Sequence, residues 1–141
     1  MIFGYTTGVY DMFHIGHLRL LERARAKCDR LIVGVTTDEL SLERKGKLPV
    51  VSFAERRAIV SALRCVDLTV PQYTMDKLVA WEALGFHRMF VGDDWRGTQH
   101  WNAIEAQFSE VGVEIIYFPY TPTTSSTQLR AALDGIHGPG A

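Results

Sequence analysis

Two histidines three residues apart, His14 and His17, stand where an apolar segment gives way to a helix-like pattern. A helix N-terminus offers free N–H groups and a partial positive charge, which suit a phosphate. Histidine adds donors or charge near physiological pH, and Gly16 allows a close approach of the backbone. The arrangement favours a phosphate site. Two alternatives stay open: a helix cap formed by Asp11 beside two surface histidines, and a zinc site, although no third ligand is obvious nearby in sequence.

Other polar segments suit the same chemistry. The basic segment Arg44–Lys47 and the pair Arg56–Arg57 are available to a small polyanion, although a solvated turn and a charged helix face have the same composition. Gly92–Trp95 follows a predicted strand, and Ser125 or Ser126 precedes the last predicted helix. Each of these segments therefore stands next to an element that could hold it at a ligand site.

Strand and helix patterns alternate along the chain and must position these residues. Strands are predicted at residues 1–8, 30–36, 66–70, 88–91 and 113–118, the third of them ended by Pro71. Helices are predicted over about 17–24, 52–63, 75–84, 98–111 and 125–133, with a capping box at Ser52–Glu55. This order favours an α/β fold, a Rossmann-like doubly wound sheet of about five parallel strands with helices on both faces. Such folds bind ligands at the carboxyl edge of the sheet, where the motifs should meet.

Length and charge limit the partners. At 141 residues the chain suits one domain, which we place at residues 1–134, with 135–141 as a flexible tail or the start of a linker. Because 15 Lys and Arg face 16 Asp and Glu, we expect no nucleic-acid polymer as partner. The sequence shows no signal-peptide layout and no apolar run of about 18 residues, so we expect a soluble cytoplasmic protein. Cys28 and Cys65 are expected to be small buried hydrophobic residues rather than disulfide partners.

The segment Gly8–His17 resembles the H-x-G-H signature of the nucleotidyltransferase superfamily that includes the cytidylyltransferases. Within it, the chain is most similar to the glycerol-3-phosphate cytidylyltransferases. Arg64–Asp67 is similar to their R-Y-V-D segment and Gly92–Trp95 to their G-D-D-W segment. Tyr120–Thr127 is similar to R-T-E-G-I-S-T-T, but Tyr120 replaces the arginine and Thr123 the glycine. The exchange at position 120 removes a permanent cation, which leaves open either how the phosphate charge is neutralised or which acceptor binds.

The resemblance implies transfer of CMP from CTP to a small phosphorylated alcohol, by default glycerol 3-phosphate. Pyrophosphate would leave after direct in-line attack, with Mg²⁺ accompanying CTP. A homodimer is also implied. One alternative keeps the fold but uses ATP, or a phosphonate or other polyol phosphate as acceptor, in one domain of a larger biosynthetic enzyme. Another is a nucleotide-binding module without catalysis.

Carried onto this sequence, the resemblance implies three sets of residues. Val9 and Tyr10 would bind through the backbone, and Asp11 would orient the loop or lie near the Mg²⁺ ion. The catalytic candidates are His14, His17, Lys45 and Lys47. The candidates for binding CTP are Val9, Tyr10, Asp11, His14, Gly16, His17, Arg64, Gly92, Asp94, Thr124, Ser125, Ser126 and Thr127, and those for binding the acceptor are Lys45, Arg56, Lys77 and Tyr120.

Overall fold

A five-stranded, all-parallel sheet forms the centre of the protein in a computed structural model. The structure describes residues 1–93, 96–119 and 126–137, and for 126–128 and 136–137 it describes the backbone alone. The strands, in the spatial order β3-β2-β1-β4-β5, are β1 (Phe3–Gly8), β2 (Arg30–Thr36), β3 (Leu68–Gln72), β4 (Arg88–Gly92) and β5 (Glu114–Phe118). The helices are α1 (Ile15–Arg25), α2 (Asp38–Lys45), α3 (Phe53–Ser61), α4 (Lys77–Leu84), α5 (Gln99–Glu110) and α6 (Ser126–His137). The predicted α/β fold is confirmed.

Helices cover both faces of the sheet, because successive side chains of each strand point to opposite sides. One apolar cluster joins α1 and α3 to β2 through Leu21, Val60 and Val33. The cluster on the other face joins α4 and α5 to the sheet and includes Trp81 and Phe108. Strand β2 is buried on both faces, which explains its continuous apolar run.

The strand order sets the place of a ligand site. The chain builds outward from β1 to β2 and β3, and then returns to place β4 on the other side of β1. The order therefore reverses between β1 and β4. Open parallel sheets bind ligands in the crevice at such a reversal, beyond the carboxyl ends of the strands.

Besides shifts of one or two residues at other element ends, three features of the elements differ from prediction. Helix α2 was not predicted, and Arg44 and Lys45, expected to belong to a loop, lie in its last turn. Pro71 does not end β3, which runs to Gln72; β3 is an edge strand, where a missing N–H is tolerated. Helix α6 extends to His137, three residues beyond the expected domain boundary. Among the described residues, no helix is long and apolar enough to cross a membrane.

Candidate active site

A cavity of about 470 Å³ opens at the carboxyl edge of β1. This volume is in the range of small-ligand sites. Six of the predicted site residues contribute to its wall: Val9, Tyr10, Asp11, His17, Lys45 and Lys47. The remaining wall comes from Thr7, Gly8, Leu20, Ser41, Leu48, Pro49 and Arg130.

His14 and His17 begin helix α1 by capping each other. His14 is the N-cap residue, and its Nδ1 accepts a hydrogen bond from the N–H of Gly16 at 3.1 Å. The Nδ1 of His17 accepts from the N–H of His14 at 3.3 Å. This is a capping box in which two imidazoles take the places usually held by a hydroxyl and a carboxylate. The predicted alternative of a cap from Asp11 is wrong, because His14 occupies that position.

These two hydrogen bonds fix the tautomer of both rings. A nitrogen that accepts from an N–H carries no proton, so each neutral ring bears its proton on Nε2. Burial lowers the pKa of His17 to about 4, helped by the neighbouring His14 and opposed by Asp11. Burial also lowers the pKa of His14. The rings stack with centroids 4.0 Å apart. The site therefore offers neutral Nε2–H donors rather than imidazolium cations at pH 7.

The loop between β1 and α1 has an unusual backbone that its neighbours hold in place. Tyr10 and Met12 adopt left-handed conformations, with φ of 54° and 50°, which are costly for residues other than glycine. Gly8 is required because a Cβ there would lie 2.8 Å from the Tyr10 ring. Asp11 anchors the loop, since its carboxylate accepts from the N–H groups of Val50 and Val51 at 2.8 and 2.9 Å.

Asp11 does not fit the predicted role of Mg²⁺ ligand. Its carboxylate is nearly buried and accepts the two backbone N–H groups just described. The Arg130 guanidinium also lies 3.2 Å from one of its oxygens. These hydrogen bonds and Arg130 lower the pKa of Asp11 against the opposing effect of burial. A cation placed there would meet a guanidinium. Among the described residues, no group of three or more His, Cys, Asp or Glu side chains is placed to hold a metal, so the zinc alternative has no third ligand there either.

Arg56, predicted to bind the acceptor, is instead an interior residue. Its side chain is fully buried, and its Nη2 lies 2.7 Å from the Asp38 carboxylate. The guanidinium also donates to the carbonyl oxygens of Val9, Thr36 and Val51 at 2.7 to 2.9 Å. These bonds engage Nε, Nη1 and Nη2 with protein groups, which shields Arg56 from a ligand. It holds the Val9 end of the loop.

Lys45 and Lys47 reach the cavity because of the turn between them. Helix α2 ends at Lys45, and Gly46 continues in the left-handed conformation with φ of 72°, as C-terminal capping requires. Both lysines are exposed, and no ion pair with another described residue engages either ammonium group. These two cations are available to phosphate oxygens.

Lys77 is the first residue of α4 and lies outside the cavity wall. Its side chain is buried, with 7% of the residue exposed. Burial and the nearby charge of Arg44 lower its pKa to about 8, against the effect of Asp76. A buried ammonium group that follows β3 at the ligand edge is compatible with an anion-binding role.

Arg64, predicted to bind CTP, lies at the opposite edge of the sheet. It is exposed and stands three residues before Asp67, whose carboxylate accepts from the N–H of Leu31 at the start of β2. The segment that joins α3 to β3 must return to the amino edge, and Arg64 is not among the described residues that line the cavity. Asp67 of the R-Y-V-D-like segment instead forms an ion pair with Arg25, which stabilises this edge of the sheet.

Two predicted residues, Gly16 and Gly92, lie near the site without forming the cavity wall. Others lie outside the residues that the structure describes. Gly16 is the second residue of α1, and Gly92 ends β4, where a Cβ would meet open space. Asp94, Tyr120, Thr124 and Ser125 lie outside the described residues, as do the side chains of Ser126 and Thr127.

Sequence reasoning missed Arg130 and Ser41. Arg130 is on α6, and its Nη2 donates to Asp11 and to the Leu48 carbonyl oxygen, both at 3.2 Å. Ser41 is buried on α2 beside the cavity. The one available signal for Arg130 was a basic residue one turn after the hydroxyl-rich helix start. That signal does not show which distant segment the residue meets.

A family model described as cytidylyltransferase-like matches residues 5–132. The chain belongs to the cytidylyltransferase-like family. It is 32% identical over 126 residues to a glycerol-3-phosphate cytidylyltransferase of Bacillus spizizenii, covering 89% of this chain and 92% of that one. It is 33% identical over 131 residues to the Staphylococcus aureus enzyme of the same name, covering 92% and 93%. Membership in this family makes the chain a nucleotidyltransferase.

The chain is also similar to a bifunctional protein and to a solved structure. The chain is 35% identical over 131 residues to the bifunctional protein HldE of Hyphomonas neptunium, covering 91% of this chain but 26% of that one. A solved lipopolysaccharide core biosynthesis protein from Thermoplasma volcanium has a TM-score of 0.72 at 22% identity, covering 88% of this chain and 99% of that one. At that identity the solved structure shows the shared fold alone.

Proposed function

We propose that the protein transfers CMP from CTP to a small phosphorylated alcohol, with glycerol 3-phosphate as the default acceptor. The observation that carries this proposal is the cavity itself. It joins the Nε2–H donor of His17 to the ammonium groups of Lys45 and Lys47. The glycerol-3-phosphate cytidylyltransferases that the chain resembles over most of their length support the choice of substrates.

The proposed reaction needs little chemistry from the protein beyond positioning and charge stabilisation. An oxygen of the acceptor phosphate attacks the α-phosphorus of CTP, the bond between that phosphorus and the bridging oxygen breaks, and pyrophosphate leaves. The acceptor is largely a dianion at pH 7, so no protein base has to remove a proton. Lys45 and Lys47 neutralise the two approaching anions. The histidine Nε2–H groups then donate to oxygens whose charge grows in the transition state.

Two of the remaining candidates, Lys77 and Gly92, take proposed roles. Lys77 binds the acceptor phosphate from the β3 side, and Gly92 leaves space for the nucleotide at the reversal of strand order. We propose that Mg²⁺ enters with the triphosphate and not through Asp11.

A pyrophosphate-release assay tests the proposal. Purified protein is incubated with Mg²⁺, each of the four nucleoside triphosphates and a panel of phospho-alcohols and phosphonates. We expect the highest kcat/KM with CTP and glycerol 3-phosphate, and a new diphosphate diester in the phosphorus NMR spectrum. Release with ATP alone would refute cytidylyl transfer. Tight CTP binding without release from any pair would indicate a binding module.

His17→Ala should reduce kcat by about 10²- to 10³-fold, the usual effect of removing one preorganised donor. His87→Ala is the matched control. The Nδ1 of His87 also accepts a backbone N–H, from Phe3 at 3.0 Å, but the residue lies at the amino edge. Equal losses in the two variants would place the effect in folding rather than in catalysis.

The second candidate function is the same transfer to a different acceptor within a larger enzyme. The match to about a quarter of HldE favours it. A higher kcat/KM for a phosphonate or another polyol phosphate than for glycerol 3-phosphate would select this alternative.

A further inference from the structure

Ser41 places a hydroxyl group without a hydrogen-bond partner in the cavity wall. The residue lies on α2, and 3% of it is exposed. Its Oγ has no hydrogen-bond partner within residues 1–93, 96–119 and 126–137. In that part of the chain, the Tyr10 hydroxyl is the one fully inaccessible side-chain polar group that lacks a partner, so the Ser41 Oγ is open to the cavity. A nearly buried hydroxyl of this kind gains a hydrogen bond when a polar ligand enters.

We propose that Ser41 hydrogen-bonds a hydroxyl group on the carbon chain of the acceptor and thereby selects hydroxylated over plain alkyl phosphates. This inference rests on the proposed function, and it names the part of the acceptor that the cavity recognises.

The position of Ser41 relative to Lys45 sets the direction of the acceptor. The two residues are four apart on α2, so their side chains lie on the same face of the helix and both line the cavity. Lys45 is exposed, whereas Ser41 is buried. Cβ atoms at this spacing are about 5–6 Å apart, which a chain of a few carbon atoms spans. An acceptor whose phosphate binds the Lys45 ammonium group therefore extends its carbon chain towards Ser41.

The charges of the cavity wall favour a neutral chain on the acceptor. The wall contains the cations of Lys45, Lys47 and Arg130 but one carboxylate, that of Asp11. This carboxylate accepts two backbone N–H groups and pairs with Arg130 at 3.2 Å. A positively charged amino group on the acceptor would meet mostly like charges. The Ser41 hydroxyl both donates and accepts, so it complements another hydroxyl. The acceptor class that fits is a phosphate ester with a neutral, hydroxyl-bearing chain.

The test removes the hydroxyl from the protein and from the acceptor in turn. Wild type and Ser41→Ala are assayed for pyrophosphate release with CTP, Mg²⁺ and either glycerol 3-phosphate or propyl phosphate, which has no hydroxyl. For Ser41→Ala we expect kcat/KM to fall about 5- to 10-fold with glycerol 3-phosphate and to change less than about two-fold with propyl phosphate. The analogues 2-hydroxypropyl phosphate and 3-hydroxypropyl phosphate each keep one hydroxyl. The analogue that shows the same loss identifies the hydroxyl that Ser41 binds.

Two controls separate recognition from packing. Ser41→Thr and Ser41→Val introduce side chains of nearly the same shape, but only threonine keeps a hydroxyl. Ser41→Thr should retain the preference for glycerol 3-phosphate over propyl phosphate, and Ser41→Val should lose it. Ser61→Ala removes an exposed hydroxyl of α3 that is bonded to Thr69, and it should leave kcat/KM unchanged for both acceptors.

Equal losses with both acceptors in Ser41→Ala would overturn the proposal. No loss with either would also overturn it, and that result is expected if the hydroxyl bonds the Thr37 carbonyl oxygen one turn earlier in the helix. Failure of the proposed function is recognised separately, as absence of pyrophosphate release by the wild type with every triphosphate and acceptor. Calorimetry with glycerol 3-phosphate then decides. Wild type should bind it about 5- to 10-fold more tightly than Ser41→Ala, and equal or undetectable binding refutes the role of Ser41.

Discussion

His17 combines a catalytic candidate with a helix cap, and both depend on its neutral form. Protonation of Nδ1 would break the bond from the His14 N–H and bring a charge beside His14, Tyr10 and Phe13, which surround the ring. The nearby Asp11 carboxylate favours the proton but does not outweigh burial. The site is therefore built for an imidazole that does not change charge across the physiological range.

A pH dependence of stability follows. The pKa of His17 is about 4 in the folded protein and about 6.5 in the unfolded chain, so the unfolded chain binds the proton first as pH falls. The contribution is fully present above pH 6.5 and is lost between 6.5 and 4, up to about 3 kcal/mol. The difference in unfolding free energy between wild type and His17→Gln, measured by urea denaturation, should shrink over this range. A constant difference would contradict the shift.

Replacing Lys77 should stabilise the fold and weaken the proposed binding of the acceptor. Its pKa is about 8 when folded and 10.5 when unfolded, so the stability that its neutral form gives is lost as pH falls through this interval. At pH 7 the buried ammonium is charged beside Arg44. Lys77→Met should then raise the unfolding free energy by about 1–3 kcal/mol and, with acceptor binding as proposed, raise the KM of the acceptor. The exposed Lys27→Met is the control and should change neither.

At the scale of elements, the loop between β1 and α1 depends on residues distant in sequence. Arg56 of α3 holds the Val9 carbonyl, and Asp11 holds the segment at Val50 and Val51. The strained backbone at Tyr10 and Met12 persists because these contacts fix it from both sides.

Arg56→Lys should be strongly destabilising although it keeps the charge. A lysine cannot reach three carbonyl oxygens and the Asp38 carboxylate at once, so buried acceptors lose their donors. We expect a loss of about 3–5 kcal/mol in unfolding free energy, as found when a buried charge network is broken. Arg57→Lys, half-buried on the same helix and bonded only to Thr69 among the described residues, is the control and should cost under about 1 kcal/mol. Similar losses in both would contradict the interior role.

Asp11→Asn separates loop anchoring from metal binding. An amide can accept from one of the two N–H groups and presents its own N–H₂ to the other, and it loses the ion pair with Arg130. Unfolding free energy should fall by about 1–3 kcal/mol, and kcat/KM with it. The Mg²⁺ concentration for half-maximal activity should stay within about two-fold, because we propose that Mg²⁺ does not bind through Asp11. A ten-fold increase in that concentration would make Asp11 a metal ligand after all.

The local sequence predicted where most helices lie more accurately than it predicted which side chains cap them. Ser52 stands at the predicted N-cap of α3, but its hydroxyl makes no capping bond. The Asp38 carboxylate accepts from the Phe53 N–H instead, at 3.2 Å. Helix α2 was missed because its eight residues are mostly polar and it begins and ends within a segment that resembles a loop. At the start of α3, a tertiary neighbour decided what a window of sequence could not show.

For the whole molecule, the parallel sheet and its ligand edge followed from the alternation of strand and helix patterns. The histidine positions at that edge followed from motif spacing, and the lysine positions from the resemblance to the cytidylyltransferases. Arg64 and Arg130 did not follow, for the same physical reason. Helix α3 carries Arg64 to the far edge, while Arg130 meets Asp11 across 119 residues of chain. Such placements depend on the path of the chain through space, which no local pattern records.

Nucleotide binding should stabilise the molecule as a whole, because the cavity is built from segments after β1 and α2 together with α6. A ligand at 100 times its Kd adds about 2.7 kcal/mol, which raises Tm by roughly 5–10 °C in a domain of this size. CTP should give a larger thermal shift than ATP, and His17→Ala a smaller shift than His87→Ala. A larger shift with ATP would point to an adenylyl donor.

The capping pair at His14 and His17 also constrains how the sequence can change through evolution. The two imidazoles start α1 and His17 lines the cavity, so with the proposed catalytic roles neither position can change without weakening both fold and chemistry. A related protein that no longer carries out the reaction does not need histidine at these two positions. It is then free to restore the helix start with serine at position 14 and glutamate at position 17, the common capping pair. That exchange in a related sequence would mark a domain that has kept the fold and given up the reaction.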